Sequence, residues 1–142
     1  MKNTRYTTAS SSQILALLEK QIVILDGAMG TSIQKYPLEE KDFRGDVFKD
    51  HPTSLKGNND LLCLTKPEVI EEIHYGFLQA GANFIETNTF NANRISQADY
   101  QMEAEVSRIN KAAAQVAKGA IEKYQKEKPE HPAFVRGSIG PT

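Results

Sequence analysis

Several features that many proteins carry are missing from this sequence, and each absence excludes a class of structure. Its single cysteine, Cys63, rules out an internal disulfide and is not a zinc site by itself. Lys and Arg number 17 against 18 Asp and Glu, so no positive surplus favours nucleic acid or an anionic membrane. No apolar run approaches the roughly 20 residues that span a bilayer, and the polar N-terminus lacks the apolar core of a signal peptide. We therefore expect a soluble, cytoplasmic chain that binds neither nucleic acid nor membranes.

Side chains that usually carry catalysis are also few. His51, His74 and His131 are scattered without the spacing of metal ligands, and we expect all three on the surface. Cys63 lies between two leucines, a context more typical of a small buried hydrophobe than of a nucleophile. Neither a Ser/His/Asp set nor a Cys/His pair is apparent, so motif chemistry alone makes a weak case for catalysis.

The first 60 residues alternate between short apolar segments and polar stretches. Residues 1–12, rich in Ser and Thr, are predicted to be a disordered lead, and residues 14–18 have the spacing of a short amphipathic helix. The β-branched run at residues 22–25 predicts a strand buried on both faces, as in parallel sheets. Charges, prolines and glycines then fill residues 36–60, which predicts a long irregular connection with at most short helical turns.

The rest of the chain alternates helix and strand. Pro67 opens a helix with the buried stripe of an amphipathic element, and Gly81 ends it. A strand at residues 82–87, a long helix over about 104–126 and a strand from Phe134 follow. Strand, helix, strand, helix, strand predicts right-handed βαβ units and an α/β fold with a parallel sheet. Ligands of such folds bind at the carboxyl ends of the strands, although this order alone does not separate a Rossmann-type sheet from the start of a barrel.

Asp26 follows the first predicted strand directly and precedes two glycines. Its carboxylate could hold an ammonium, while nearby backbone N–H groups and a following helix N-terminus could hold a carboxylate, which together suit an amino acid. The alternative interpretation is a tight turn in which Asp26 caps the next helix.

Two further polar segments carry similar alternatives. Residues 57–60, Gly-Asn-Asn-Asp, have the composition of a turn but could also reach across the strand ends to cover a site. Glu86 and Asn88 lie on one side of the second strand's end, where they would form either a polar network near a site or a hydrogen-bonded clamp that closes the strand.

Four segments taken together are much more specific than any one of them. Residues 24–31, 55–67, 81–91 and 137–142, in this order and spacing, resemble the N-terminal homocysteine-binding module of cobalamin-dependent methionine synthases. The resemblance covers roughly residues 13–142. Asp42-Phe43-Arg44-Gly45, followed by residues 55–60, favours that family over betaine-dependent and S-methylmethionine-dependent relatives.

The resemblance implies a (β/α)8 (TIM) barrel whose strand ends bind homocysteine. In that family a zinc ion held by three cysteine thiolates takes the substrate sulfur, and methylcobalamin, recharged from methyltetrahydrofolate on another module, supplies the methyl group. Carried onto this sequence, Glu86 and Asn88 would line the pocket floor and Ser138 would lie at the third strand's end. The residues that would hold the amino-acid end of homocysteine are Asp26, Gly27, Ala28 and Met29.

The sequence departs from the family's pattern in the metal ligands, because Cys63 stands alone and in the wrong place. A barrel of this type needs about 250 residues, so residues 13–142 would supply only its first three βα units, with exposed strand edges that favour a homo-oligomer. We expect no zinc and no methylcobalamin bound to this chain, and no methyl transfer without the remaining domains of a parent enzyme. A small amino-acid-binding protein and a non-catalytic, oligomeric α/β module remain alternatives.

Overall fold

The fold contains a small parallel sheet. The computed structural model describes residues 11–141, so residues 1–10 of the predicted disordered lead lie outside it. Strand β1 (Phe84–Glu86) pairs in parallel with β2 (Phe134–Arg136), with Ile85 opposite Val135. On the other side of β1, Leu25 forms a single parallel bridge with Phe84. The three predicted strand segments are therefore adjacent and parallel, in sequence order.

The segment at residues 22–25 differs from its prediction. Its backbone pairs with β1 through Ile24 and Leu25 alone, and no regular strand forms there. Ile22 is 88% exposed, and Ile24 and Leu25 are about half exposed, so the prediction of a strand buried on both faces is wrong in this chain. The reason is that an apolar run is buried only where other elements cover it, and the described residues offer it a partner on one edge only.

Two long helices supply half of the buried apolar side chains among the described residues. Helix α5 (Pro67–Gln79) has Pro67 in its first turn, and Gly81 lies just beyond its end with φ of 103°. Helix α7 (Val106–Glu127) follows a 3₁₀ turn at Glu103–Glu105 and packs along α5. Both predicted helices are confirmed. Among the described residues no helix is long and apolar enough to cross a membrane.

Within residues 11–141, five shorter helices precede or connect these elements. Each has four to eight residues, and several of their apolar side chains join the core beneath α5 and α7. They are α1 (Ser11–Leu18), α2 (Met29–Ile33), α3 (Glu40–Arg44), α4 (Leu62–Thr65) and α6 (Arg94–Ala98).

The connection at residues 36–60 is irregular, as predicted, but two side chains hold it in shape. The Glu40 carboxylate accepts hydrogen bonds from the backbone N–H groups of Leu55 at 2.9 Å and Lys56 at 2.7 Å. Arg44 donates to four backbone carbonyls, including those of His51 at 2.6 Å and Thr53 at 3.0 Å. Charged side chains therefore satisfy the backbone of a segment with little regular structure.

The histidine prediction is wrong for His74. This residue lies on the buried face of α5 and is fully buried. His51 and His131 are half-buried, and each places its Nε2 within 3 Å of a backbone carbonyl, that of Tyr100 and that of Ala82 respectively. Spacing alone could not reveal this, because a polar side chain is buried only when tertiary contacts enclose it.

Candidate functional site

A pocket of about 310 Å³ lies at the carboxyl ends of the parallel strands. This volume falls at the lower end of the range for small-molecule sites. All seven residues predicted for the site line it, although they come from three separate parts of the chain. They are Asp26, Gly27, Ala28, Met29, Glu86, Asn88 and Ser138. The structure thus brings together side chains that are up to 112 positions apart, from 26 to 138.

Asp26 connects two of the strand ends. Its side chain is only 4% exposed, and its Oδ1 accepts a hydrogen bond from the backbone N–H of Glu86 at 2.9 Å. Helix α2 begins with Ala28 as its N-cap, without a side-chain cap. The interpretation of Asp26 as a helix cap is therefore wrong, and its carboxylate lies instead in the wall of the pocket.

Ala28 has an unusual backbone conformation at the edge of the pocket. Its φ of 52° lies in the left-handed region, which costs a residue with a Cβ about 1 kcal/mol or more. The conformation turns the chain sharply from Asp26 into α2. The first N–H groups of that helix have no partner within the helix, so the turn leaves donors beside a buried carboxylate. An acceptor and donors placed this closely suit a zwitterion.

Glu86 ends β1 next to Asp26 and also lines the pocket. Its carboxylate is 3.2 Å from the guanidinium of Arg136, on the neighbouring strand β2. Both side chains are partly exposed, so the ion pair contributes little to stability. The register of the two strand ends is set by their backbone pairing, in which Glu86 lies opposite Arg136.

Asn88 links the pocket to the segment at residues 57–60. Its side-chain Nδ2 donates to the backbone carbonyl of Asn59 at 2.8 Å. A turn does occur at Gly57, whose φ is 95°, and a 3₁₀ helix at Asn59–Leu61 follows it. Asn59 and Asp60 also line the pocket. Both interpretations of residues 57–60 therefore hold, as a turn and as a cover for the strand ends.

Asp60 is a buried acid at the edge of the pocket. Burial raises its pKa to about 6, although its Oδ2 accepts a hydrogen bond from the backbone N–H of Asn91 at 2.6 Å. Its protonation state therefore changes near pH 6. The sequence predicted only that its segment, residues 57–60, could cover a site, and gave Asp60 no role of its own.

Ser138 joins the third strand end to the loop after β1. Its backbone N–H donates to Thr87 Oγ1 at 3.0 Å, and its carbonyl accepts from Thr89 Oγ1 at 2.8 Å. Two residues later, the Gly140 N–H donates to the carbonyl of Phe90 at 3.1 Å. These hydrogen bonds join the loop after β2 to the segment after β1 along one wall of the pocket.

Two buried amides support the pocket from behind. Asn58 Nδ2 donates to Gln97 Oε1 at 2.8 Å, and Gln97 Nε2 donates back to Asn58 Oδ1 at 3.1 Å. Gln97 also donates to the carbonyl of Asn91. Sequence reasoning missed Gln97, which carries no motif. It missed His74 as well, although that residue lies four positions from both Ile70 and Leu78 on the apolar stripe of α5.

The zinc ligands that the resemblance implies are not matched by the residues present. Cys63 is buried, as predicted, with its Sγ 3.7 Å from Asn88 Nδ2. Burial raises the pKa of its thiol to about 12, whereas zinc binds the thiolate. Within residues 11–141, no three His, Cys, Asp or Glu side chains lie close enough to hold a metal ion. A zinc ion therefore does not fit the donor set of this chain.

Comparison with known proteins points to one family. Residues 23–142 match the homocysteine S-methyltransferase family. The homocysteine methyltransferase MmuM from Escherichia coli is 28% identical in both its metallated and its oxidized form, with TM-scores of 0.69 and 0.71. The matches cover 89% and 90% of this chain but only 40% of either MmuM chain. The likeness confirms the fold class, the opening units of a (β/α)8 barrel, and the chain belongs to the homocysteine S-methyltransferase family.

Proposed function

We propose that this chain provides the amino-acid-binding half of a homocysteine S-methyltransferase site. Asp26 would receive the ammonium of homocysteine, and the backbone donors of Gly27, Ala28 and Met29 would receive its carboxylate. Glu86, Asn88 and Ser138 would bound the pocket and orient the side chain that ends in the thiol. The residues described here bind and orient the methyl acceptor, and none of them activates its sulfur.

One observation carries this proposal. A buried carboxylate and a left-handed turn that leads into the first N–H groups of α2 lie side by side in a pocket at the carboxyl ends of parallel strands. Charge-assisted hydrogen bonds to both ends of a zwitterion are strong, and such an arrangement discriminates against molecules that lack either charge. Family membership adds homocysteine as the particular amino acid.

The experiment is a calorimetric titration of the purified chain with L-homocysteine under reducing conditions. The matched control ligand is 4-mercaptobutanoate, which keeps the thiol and the carboxylate but lacks the ammonium. We expect binding of L-homocysteine and a loss of at least about tenfold in affinity for the control, since a charged hydrogen bond contributes about 1.5–3 kcal/mol. Equal affinities would refute the role of Asp26, and undetectable binding of both would refute the proposal.

We also propose that methyl transfer requires parts beyond these 142 residues. This chain spans about 40% of the MmuM structures, and its lone cysteine cannot form a three-thiolate site. We expect no homocysteine methylation by the isolated chain, whichever methyl donor is supplied. Methylation by the purified chain, or one zinc ion per chain in a metal assay, would contradict this.

The proposed methyl donor of the complete protein is methylcobalamin, recharged by methyltetrahydrofolate. The support is the resemblance of Asp42-Phe43-Arg44-Gly45 and residues 55–60 to cobalamin-dependent methionine synthases, and this segment is held in shape by Arg44 and Glu40. Assays of a complete protein with methylcobalamin and with S-methylmethionine as alternative donors test it. Turnover with S-methylmethionine alone would overturn the assignment.

The exposed edges of the sheet support a further proposal, that the isolated chain forms homo-oligomers. Ile22, Ile24 and Leu25 lie exposed at one edge, and Val135 and Ile139 at or beyond the other. Unpaired edges with apolar side chains favour association with another chain. Sedimentation velocity at micromolar concentration should detect a dimer or larger species, and Ile24→Lys should shift it towards monomer. A folded monomer at that concentration would contradict this proposal.

A further inference from the structure

His74 is a buried imidazole with unsatisfied polar atoms. Its exposure is 0%, and neither ring nitrogen has a hydrogen-bond partner within the part of the chain that the structure describes. Leaving a polar group buried without a partner is costly, so such groups are rare in native structures and require a reason. If this position on the apolar stripe of α5 served only for packing, leucine would be more stabilising than histidine.

The nearest charged atom to His74 belongs to the pocket. Nδ1 lies 3.7 Å from Oδ2 of Asp26, a few tenths of an ångström beyond a hydrogen bond. The two residues approach because α5 packs against both α2 and β1, which flank the turn at Asp26. Both side chains are almost completely buried, so no solvent screens their interaction.

The other oxygen of Asp26 is already occupied. Oδ1 accepts from the backbone N–H of Glu86 at 2.9 Å. A carboxylate held at one oxygen alone can still rotate about its Cβ–Cγ bond. A donor at Oδ2 would remove that rotation, and it would leave the remaining lone pairs of both oxygens for a ligand.

We propose that His74 is a positioning residue, whose Nδ1–H holds Oδ2 of Asp26 from beneath so that the carboxylate presents its free lone pairs to the ammonium of the bound amino acid. This inference rests on the proposed function for the identity of the ligand, but the coupling of His74 to Asp26 exists without any ligand. The proposed hydrogen bond requires the separation of 3.7 Å between Nδ1 and Oδ2 to shorten by a few tenths of an ångström.

Two substitutions separate positioning from packing. His74→Leu keeps the volume and removes the donor, whereas His74→Asn places an amide nitrogen where Nδ1 lies and is smaller. If His74 positions Asp26, His74→Leu weakens L-homocysteine binding about tenfold or more, and His74→Asn restores part of it despite lower thermal stability. If His74 only packs, His74→Leu binds as well as the wild type and His74→Asn is the weaker variant. That second pattern would overturn the proposal.

A spectroscopic measurement tests the coupling independently of homocysteine. Two-dimensional NMR of the ¹⁵N-labelled histidine side chains reports which ring nitrogen carries the proton. We expect His74 to carry it on Nδ1, and the Nδ1 resonance to move in Asp26→Asn while those of His51 and His131 stay unchanged. A proton on Nε2 alone would overturn the positioning role. So would a Nδ1 chemical shift that is the same in Asp26→Asn as in the wild type.

The two measurements keep this inference distinct from the proposed function. If homocysteine does not bind the wild-type chain but the Nδ1 resonance of His74 moves in Asp26→Asn, the ligand assignment fails and the positioning of the carboxylate stands. If homocysteine binds and the Nδ1 resonance of His74 does not move in Asp26→Asn, the site assignment stands and the inference about His74 fails.

Discussion

The side chain of Asp26 accepts a hydrogen bond from the backbone N–H of Glu86, 60 residues further along the chain, at 2.9 Å. In a regular parallel sheet such an N–H would donate to a backbone carbonyl of the neighbouring strand. Here a carboxylate replaces that carbonyl, since the pairing of residues 24–26 with β1 ends at this point. The end of the sheet is thereby converted into the wall of a charged pocket.

Replacement of Asp26 by asparagine tests the charge of that wall. Asp26→Asn keeps an oxygen that can accept from the Glu86 N–H, so we expect thermal stability close to that of the wild type. Affinity for L-homocysteine should fall roughly 10- to 100-fold, because a neutral amide replaces the anionic partner of the ammonium. Calorimetry measures the affinity, and Asp50→Asn, at an exposed position, is the matched control. Unchanged affinity would place the ammonium elsewhere.

Gly140 lies so close to the backbone of Phe90 that the pocket wall leaves no room for a Cβ at this position. A Cβ at Gly140 would overlap the carbonyl oxygen of Phe90, which is backbone and cannot move aside easily. We expect Gly140→Ala to destabilise the chain by roughly 1–3 kcal/mol and to displace the loop around Ser138. Urea denaturation measures the loss.

Gly137 provides the control in the same loop. A Cβ there would meet no atom within 4 Å, so Gly137→Ala should change stability by no more than about 0.5 kcal/mol. Equal effects of the two substitutions would show that flexibility of the loop, and not the approach to Phe90, determines its stability.

Much of the site was predictable because parallel sheets place all carboxyl ends at one edge. Asp26 and Asn88 each follow a strand segment, and the fold brings them to one pocket, whereas Ser138 was expected there from the family resemblance. Helices α5 and α7 were predictable because their apolar spacing persists over three or more turns.

The remaining features depend on tertiary partners that spacing does not encode. The exposure of Ile22 depends on which elements cover that part of the chain, and the burial of His74 depends on how α5 packs against α2 and β1. Gln97 is buried because Asn58, 39 positions earlier, satisfies its amide from another loop. Local propensity favours none of these outcomes.

The reciprocal pair of Asn58 and Gln97 should behave as one energetic unit. Asn58→Ala and Gln97→Ala each leave a buried amide without its partner, and each should cost about 1–3 kcal/mol. The double variant should cost less than the sum, by about 1 kcal/mol, since no partner is then left unsatisfied. Asn58→Ala combined with Lys126→Ala, an exposed position on α7, should be additive. Additivity in both pairs would contradict the coupling.

Glu40 should make the chain sensitive to acid. Hydrogen bonds, the largest from the Leu55 N–H, lower the pKa of Glu40 from 4.5 to about 2. The folded state therefore favours the charged form, so this stabilisation is complete above about pH 4.5 and is lost as the pH falls towards about 2. The melting temperature of Glu40→Gln should lie below that of the wild type at pH 7, and the difference should shrink through pH 4 and 3. Glu130→Gln, at an exposed position, should show no such trend.

Asp60 should make the stability depend on pH in the opposite direction. Burial raises its pKa from 3.8 to about 6, so the folded state favours the protonated form. Stability is then complete below about pH 3.8 and falls as the pH rises through about 6. Asp60→Asn mimics the protonated acid and keeps an oxygen for the Asn91 N–H. We expect it to match the wild type near pH 4 and to exceed it at pH 8 by up to about 3 kcal/mol, given a shift of about two pKa units at roughly 1.4 kcal/mol per unit. Denaturation curves that stay parallel from pH 4 to 8 would show that Asp60 is charged in the folded protein throughout, and its place in the pocket wall would then require a cationic partner.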